Sequence, residues 1–385
     1  MAKEQQIKRC FTQMAYGDAL GFLNENTKDL TTEFIPFQYI RDHQLKMQLP
    51  QGQWSEITEL SLIITKCLID LKEKSKTIVD YKRITDEVKL WEYYRHGEAN
   101  LLRLRIQEGK KYYQNSIYHN DKRGYGFSRI IPILLANKNF EAAKEEVVKQ
   151  ITYLNQHPQV ILTAILLARV IFLLLEKGKE DREDLINQLK DFLIGLQRDQ
   201  LLINEEKEPS KKYILQFEQE KINYLMALDR LKDGKINQTK VNPDSQSILL
   251  LALDNYWRLE EGLLPDFQNL PKEDQKETLA LAYGFWGIVS NAENNRSNEY
   301  TEQDFIENMG EYICKVRNYE VGKRPYEAPQ REVDLFQLKE GTVIKHPILN
   351  VTKVTSKEVG KYFIKVEVET KTGQYKLYKR KTATD

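Results

Sequence analysis

The sequence predicts a mainly α-helical protein with a small β-barrel at its C-terminus. Apolar residues recur at helical spacing through most of residues 1–328, and the clearest example is GQWSEITELSLIITKCLIDL at 52–71. Beyond the Pro-bearing stretch VGKRPYEAPQREVD, polar and apolar residues alternate with period two, which is typical of β-strands. We therefore expect a helical domain over residues 1–328 and a small β domain over residues 335–385.

The charge balance and the cysteines restrict the class of protein. The 385 residues include 58 Lys+Arg and 57 Asp+Glu, which gives a formal net charge of +1. Such a chain has no general attraction for nucleic acid or an anionic membrane. Cys10, Cys67 and Cys314 are far apart and lack closely spaced His partners, which argues against a disulfide framework and a zinc site. We predict a cytoplasmic protein.

The most apolar stretch is VILTAILLARVIFLLL at residues 160–175. It is shorter than a comfortable membrane span and carries Arg169 near its middle, where a charge is least tolerated in a bilayer. The N-terminus is basic but lacks the uninterrupted apolar run and the cleavage site of an export signal. The sequence therefore predicts a buried central helix and no membrane partner.

The helix that follows Gly52 and Trp54 has an unusual first turn. Ser55 is placed to cap it, and Ser55, Glu56 and Thr58 together offer hydroxyl and carboxylate oxygens that a hard cation prefers. Ile57 interrupts this set. The alternative interpretation is an ordinary helix cap with no ligand. Residues 31–51, which precede the helix, have the pattern of a polar loop.

These letters resemble the Trp-Thr-Asp-Asp-Thr helix start of the ADP-ribosylglycohydrolase family, which includes dinitrogenase reductase-activating glycohydrolase. Upstream, GDALGFLNE resembles the family's Gly-Asp-Ala-Leu-Gly string, after which a Glu lies in the catalytic cleft; Glu25 has that position here. The alternative for this string is a glycine-rich helix end followed by a solvated acid. Gly17 and Gly21 also permit close helix packing.

Two further strings resemble the family's binding elements. GYGFSRIIPILLA resembles a glycine loop that cradles ribose and phosphates, which implies ligand-binding roles for Gly124, Tyr125, Gly126, Phe127 and Ser128. Tyr125 and Phe127 would stack on an adenine, or else fill the core of the loop. His157 stands at the position of a Thr-His pair before the long buried helix. It is a candidate cleft residue, with a purely structural histidine as the alternative.

A C-terminal string, KEDQKETLALAYGFWGIVSN, resembles the family's Asp-x-Asp-Thr helix start. The resemblance implies an all-helical bundle whose Asp carboxylates hold two magnesium ions for cleavage of ADP-ribosyl bonds. By the resemblance, the metal-ligand positions fall on Ser55, Glu56, Gln275, Glu277 and Thr278, and Ile57 stands where the family has a further Asp. Because Ile57 and Gln275 replace two carboxylates, we expect one magnesium ion at most, or none.

Two functions remain open from the sequence. The first is a divergent family protein that binds ADP-ribose or a related nucleotide, free or on a modified macromolecule, in a cleft with a degraded metal site, with Glu25 as the catalytic residue if ADP-ribosyl bonds are hydrolysed. The second is an inactive pseudoenzyme that serves as a sensor or scaffold subunit of a bacterial complex, for example in phage defence, through its C-terminal barrel.

The C-terminal segment has a resemblance of its own. The spacing of Gly341, Val343, His346 and Pro347 is similar to that of the Tudor-like barrel at the end of bacterial repair helicases. Its last hairpin is basic and aromatic, which suits a nucleic acid or an acidic protein partner. A solvated strand surface protected by lysines is the alternative. The residues concerned are Lys371, Tyr375, Lys376, Tyr378, Lys379, Arg380 and Lys381.

Overall fold

The computed structural model describes residues 2–197, 211–235, 244–290, 300–328, 333–371 and 373–381. These residues form thirteen α-helices and eight β-strands. The helices are α1 (Ala2–Asn26), α2 (Glu56–Cys67), α3 (Tyr81–Trp91), α4 (Asn100–Glu108), α5 (Ser116–Asn120), α6 (Ile131–Ala136), α7 (Phe140–Thr152), α8 (Pro158–Lys177), α9 (Arg182–Gly195), α10 (Lys211–Lys232), α11 (Ser245–Glu260), α12 (Gln275–Val289) and α13 (Gln303–Arg317). The strands are β1 (Phe37–Arg41), β2 (Leu45–Leu49), β3 (Leu68–Leu71), β4 (Lys76–Val79), β5 (Val343–His346), β6 (Asn350–Val359), β7 (Phe363–Thr370) and β8 (Gly373–Arg380).

The chain divides into two compact units. The first unit combines the chain up to Val79 with Gly97–Lys323, and the second combines Asp80–His96 with the chain from Arg324 onward. The predicted domains, 1–328 and 335–385, differ from these units mainly at Asp80–His96, which the prediction includes in the helical domain. The mainly helical character of the chain is confirmed. That residues 1–328 and 335–385 fold independently of each other stays a prediction.

In the first unit, helices α1 and α12 run antiparallel and lie in close contact. Glycines line this contact and allow the short distance between the two backbones. A Cβ atom added to Gly17 would lie 2.3 Å from the carbonyl oxygen of Leu279, and one added to Gly21 would lie 2.6 Å from the Cα of Lys276. The backbones therefore approach more closely than any side chain would allow. Since α1 continues to Asn26, the alternative of a helix that ends at Gly21 is wrong.

Helix α8 is the buried central helix that the sequence predicts. Among the described residues it is the only helix long and apolar enough to cross a membrane, but 94% of its apolar stretch is buried inside the protein. The guanidinium carbon of Arg169 lies 5.5 Å from the ring centre of Phe140 and 5.6 Å from that of Phe192. The one charged residue within the apolar stretch 160–175 is thus placed on aromatic faces at the less buried side of the helix.

Two short hairpins accompany the helices of the first unit. Strands β1 and β2 pair from Phe37 opposite Leu49 to Arg41 opposite Leu45, so part of the predicted loop at residues 31–51 is a hairpin. Phe37, Tyr39 and Leu49 are buried in one small cluster with Phe22 and Leu23 of α1. Strands β3 and β4 form a second antiparallel pair directly after α2.

The second unit is an antiparallel sheet with the order β5-β6-β7-β8. Its apolar face forms a core with Leu335, Phe336 and the side chain of Leu90 from α3. Within the described residues β5 and β8 each have one paired neighbour, so the sheet is open and the predicted closed barrel is not seen.

Candidate functional site

The start of α2 is held by an aspartate of α1. The fully buried carboxylate of Asp18 accepts hydrogen bonds from the amide and Oγ of Ser55, at 2.9 and 2.5 Å, and from the amide and Oγ1 of Thr58, at 3.0 and 2.7 Å. Burial raises the pKa of Asp18 to about 7, and the hydrogen bonds from Ser55 and Thr58 oppose that rise. Both hydroxyl groups of the predicted cation site therefore donate to a protein carboxylate.

A lysine joins the predicted catalytic acid to the predicted metal ligand. The Nζ atom of Lys276 donates a hydrogen bond to Oε1 of Glu56 at 2.9 Å and forms an ion pair with Oε2 of Glu25, also at 2.9 Å. The side chains of Glu56, Lys276 and Glu25 are 3%, 12% and 26% exposed, so the group opens to solvent on the side of Glu25. The hydroxyl of Tyr125 donates to the same Oε1 of Glu56, at 2.8 Å.

The environment favours charge on the lysine. Burial by itself lowers the pKa of Lys276, but Glu56 and then Glu25 raise it above its ordinary value. Burial raises the pKa of Glu25, and the charge of Lys276 opposes that effect. Burial, followed by the nearby charge of Glu56, raises the pKa of the Tyr125 hydroxyl, which remains a hydrogen-bond donor at neutral pH.

The remaining predicted ligands, all on α12, differ in their contacts. Oε1 of Glu277 accepts hydrogen bonds from the amide and Oγ of Ser128, both at 2.6 Å. Burial raises the pKa of Glu277, and these two hydrogen bonds oppose the rise. Oε1 of Gln275 and Oγ1 of Thr278 are buried and have no hydrogen-bond partner among the described residues. Of these three residues, Glu277 is thus held by Ser128, whereas the side-chain oxygens of Gln275 and Thr278 accept no hydrogen bond from the described residues.

The glycine loop is fixed from within the protein. Gly124 and Gly126 both have a φ of 64°, and the guanidinium of Arg129 donates to the carbonyl oxygens of Tyr125 and Gly126. The amide of Gly124 donates to Asp121 at 2.9 Å, and that of Ser128 donates to Glu277. These two amides are therefore already paired with carboxylates and do not offer the open cradle that a phosphate requires.

Aromatic and histidine candidates differ in accessibility. Phe127 is fully buried, as the loop-core alternative predicts, whereas Tyr125 is partly exposed. His157 caps α8: its Nδ1 accepts from the amide of Gln159 at 3.2 Å, and its Nε2 lies 2.7 Å from the side-chain amide of Gln216. Burial lowers the pKa of His157 to about 4, so the ring is neutral at physiological pH. The contacts of His157 are those of a structural histidine.

The residues present do not fit a divalent metal ion. The described part of the chain contains no group of three or more His, Cys, Asp or Glu side chains that could hold one. A hard cation requires several free anionic or carbonyl oxygens at about 2.0–2.6 Å. Here the ammonium group of Lys276 is within 2.9 Å of both Glu25 and Glu56, and its positive charge repels a second cation.

Sequence reasoning missed the two residues that organise the site. Lys276 stands at the unassigned position of the Asp-x-Asp-Thr pattern, and Asp18 lies within the GDALG string, so neither received a role. A lysine inside an expected cluster of acids is a signal that the sequence does contain. The ion pair of Arg123 with Asp274, at 2.6 Å, lies directly before α12 and carried no signal of its own.

Comparisons with known proteins identify the family. The family model described as ADP-ribosylglycohydrolase matches residues 1–247, a range that holds α1, α2 and the glycine loop but ends before α12. Among solved structures, one titled "ADP-ribosylglycohydrolase-related protein complex" is 17% identical, with 82% of this chain and 99% of that chain covered and a TM-score of 0.49. No curated protein matches. Because the family model covers more than half of the chain, this protein belongs to the ADP-ribosylglycohydrolase family.

Proposed function

We propose that this protein binds ADP-ribose or a related nucleotide without the metal-dependent hydrolysis typical of its family. Family membership supports a glycohydrolase-like function. The observation that carries the proposal is one continuous group of contacts in which Lys276 joins Glu25 to Glu56, and Glu56 accepts from Tyr125. Side chains from four separate stretches that resemble the family thus meet at one place, while the place of a cation is taken by a lysine.

The side of Glu25 and Tyr125 is where a ligand would enter. Both residues are partly exposed, whereas Glu56 and Glu277 are buried beneath them. The ring of Tyr125 gives a face on which an adenine or a ribose stacks. Phe127 and His157 are buried, so we propose that they support the site from within the protein and do not contact the ligand directly.

Hydrolysis is the alternative within the same site, and Glu25 favours it. Its carboxylate is the most exposed of the group, and burial raises its pKa, as a general base that activates water requires. Against this, Glu25 is paired with a lysine that keeps its negative charge neutralised. We therefore propose binding, and not hydrolysis, as the function of this site.

Two measurements separate these functions. Release of ADP-ribose from peptides modified on arginine or serine is followed with magnesium and with a chelator, for the wild type and for Glu25→Ala. We expect no difference between the two proteins under either condition. Release that depends on Glu25 would show that the protein is a hydrolase.

Binding is tested by calorimetry with free ADP-ribose. We expect saturable heat from the wild type and weaker binding by Tyr125→Ala, because the variant loses the stacking face and the hydrogen bond to Glu56. If the wild type gives no heat with ADP-ribose, the nucleotide part of the proposal is wrong.

A second candidate role, that of a sensor or scaffold subunit, is favoured by the surface of the second unit. Val343 of β5, Val351 and Val359 of β6, and Tyr362 in the bend before β7 are each 60% or more exposed, which is unusual for so many large apolar side chains of one small unit. We propose that the second unit, which resembles a Tudor-like barrel in sequence, binds a protein or nucleic-acid partner in this role. Cross-linking in cells of the source organism, with Val351→Lys as the control, tests it: a partner lost in the variant supports the role.

The compartment is part of the proposal as well. Cys10, Cys67 and Cys314 are all buried and form no disulfide, which suits a reducing compartment such as the bacterial cytoplasm. Fractionation of the source organism checks this placement, and recovery of the protein in an exported fraction would contradict it.

A further inference from the structure

We propose that Lys276 is a built-in replacement for a divalent cation, and that its ammonium group keeps metal ions out of a carboxylate pair that would otherwise bind one. This inference rests on the proposed loss of metal-dependent hydrolysis and explains how that loss is built into the chain. The pair consists of Glu25 and Glu56, which approach the same nitrogen atom from different helices at the same distance of 2.9 Å.

Backbone packing fixes where the lysine lies. A Cβ atom on Gly21 would lie 2.6 Å from the Cα and 2.7 Å from the backbone nitrogen of Lys276, so α12 meets α1 at this residue. Glu25 follows Gly21 by four residues on α1 and therefore lies on the same face of that helix. The backbone of Lys276 therefore lies beside Gly21, one turn of α1 before Glu25, and its side chain can reach the carboxylate of Glu25.

The carboxylate of Glu56 is held in position by its contacts with Gly97 and Tyr125. A Cβ atom on Gly97 would lie 1.7 Å from Oε2 of Glu56, so only a glycine leaves room for this rotamer. The hydroxyl of Tyr125 fixes Oε1 from the other side. Oε2 is buried and has no hydrogen-bond partner among the described residues, so it remains an unused oxygen ligand.

The charges of the site explain why it accepts the ammonium group of Lys276 and why a divalent cation could bind only in its absence. With the lysine present, Glu25 and Glu56 share one ammonium group, which also lies 5.5 Å from the ring centre of Phe22. Without it, two carboxylates would face each other across a small space that opens to solvent at Glu25. Such a pair repels itself and attracts a hard divalent cation.

The experiment is a Mn²⁺ titration, with no nucleotide present, of the wild type and of Lys276→Met. Methionine keeps the length of the side chain and removes its charge. By calorimetry we expect no saturable heat from the wild type, and one ion per chain in the variant with a Kd on the order of 1 mM or tighter. By thermal unfolding, Mn²⁺ should raise the melting temperature of the variant and leave that of the wild type unchanged.

Three further variants control the result. Lys276→Arg keeps the charge and should bind no metal, while the double variant Lys276→Met with Glu56→Gln should lose the binding that the single change creates. Lys272→Met removes an exposed lysine, which donates to the carbonyl of Thr27 at 3.1 Å, from the same region and should behave as the wild type.

Saturable binding of Mn²⁺ by the wild type, or equal titrations for Lys276→Met and Lys276→Arg, would overturn the proposal. If Lys276→Met does not fold alone, it is refolded with Mn²⁺ or with sodium chloride of equal ionic strength. Recovery with Mn²⁺ alone supports the proposal, and no recovery with either overturns it. Because no nucleotide is used, these outcomes do not depend on whether the protein binds ADP-ribose.

Discussion

Glu56 is the residue on which the site depends most directly, since it is almost fully buried and accepts hydrogen bonds from both Tyr125 and Lys276. A buried carboxylate that loses a donor pays the desolvation cost of its charge without compensation. Each of the two donors is therefore part of the stability of the fold as well as of the site.

The hydroxyl of Tyr125 gives the first prediction. Tyr125→Phe removes one charged hydrogen bond from Glu56 while keeping the ring, so we expect the free energy of unfolding to fall by about 1–3 kcal/mol in urea denaturation. Tyr362→Phe, at a ring that is 61% exposed, is the matched control and should change nothing measurable. Equal stability of Tyr125→Phe and the wild type would show that the hydrogen bond does not form.

His157 gives a prediction about pH. Its pKa is about 4 in the folded protein, below the ordinary value of 6.5, because burial disfavours the charged ring. The unfolded chain therefore binds the proton more readily, and the contribution of His157 to stability is complete above pH 6.5 and is lost as the pH falls toward 4.

Unfolding of the wild type and of His157→Gln in urea, at pH 7 and at pH 5, measures this contribution. Stability of the wild type should fall more between the two pH values, with a difference on the order of 1 kcal/mol. The exposed His119 offers the control His119→Gln, which should keep the wild-type pH dependence. Parallel curves for the wild type and His157→Gln would contradict the prediction.

The sequence predicted the members of the site better than their interactions. Resemblance brought Glu25, Glu56 and the start of α12 to one place, because motif order along the chain constrains which helices meet. It did not predict that Lys276 pairs with both acids, since a spacer position in a pattern carries no assigned partner. Whether the hydroxyl of Ser55 faces a cation or Asp18 is likewise decided by tertiary contacts that no local pattern contains.

At the scale of elements, the contact of α1 with α12 sets the geometry of the site. The glycines of α1 at 17 and 21 let the two backbones touch, and Gly287 of α12 does the same opposite Arg9, whose carbonyl oxygen would lie 2.5 Å from an added Cβ. Close packing of this kind leaves little freedom for the helices to slide, so the lysine and the acids keep their distances.

Gly21→Ala tests this contact. The new methyl group would meet the backbone of α12 at 2.6 Å, and backbone cannot move aside as a flexible side chain can. We expect a loss of about 1–3 kcal/mol in the free energy of unfolding. Gly195→Ala at the end of α9, where an added Cβ meets nothing within 4 Å, is the matched control and should be neutral or slightly stabilising. Equal effects of the two changes would contradict the close approach.

Helices were predicted well because their apolar spacing is long and regular, as in α2, α7 and α8. The hairpin of β1 and β2 was missed because each strand has only five residues, and because β1 exposes the apolar Ile40 and buries the charged Arg41, which obscures the alternation of a strand. Helix α3 begins at Tyr81 with Asp80 as its cap, and the hydroxyl of Thr85 donates to the carbonyl of Tyr81 inside the helix.

At the scale of the whole molecule, the second unit takes one helix from the middle of the sequence. Leu90 is buried in the core of the sheet, and Tyr93 and Tyr94 pack against it, with ring centres 4.9 Å from Phe336 and 5.3 Å from Tyr375. Tyr375 of the basic hairpin is therefore partly buried against this core. Membership of a core depends on contacts distant in sequence, so the pattern of residues 81–96 gave no sign of it.

Deletion of residues 335–385 tests the division. The helical unit has its own core and should remain folded, but Leu90, Tyr93 and Tyr94 lose their cover. We expect a cooperative unfolding transition for the truncated protein together with binding of a hydrophobic dye and self-association. The same deletion with Leu90→Ser and Tyr93→Ser should bind less dye. A truncated protein without a cooperative transition would show that the helical unit does not fold alone.

The polypeptide passes between the two units three times, near Val79, near His96 and near Lys323. A protease that cuts only at the third passage would leave a nicked protein whose two pieces stay together, because α3 remains in the longer piece while its partners are in the shorter one. The two pieces, made separately, should act as complementing fragments: the shorter one gains an ordered sheet only when the longer one supplies the helix.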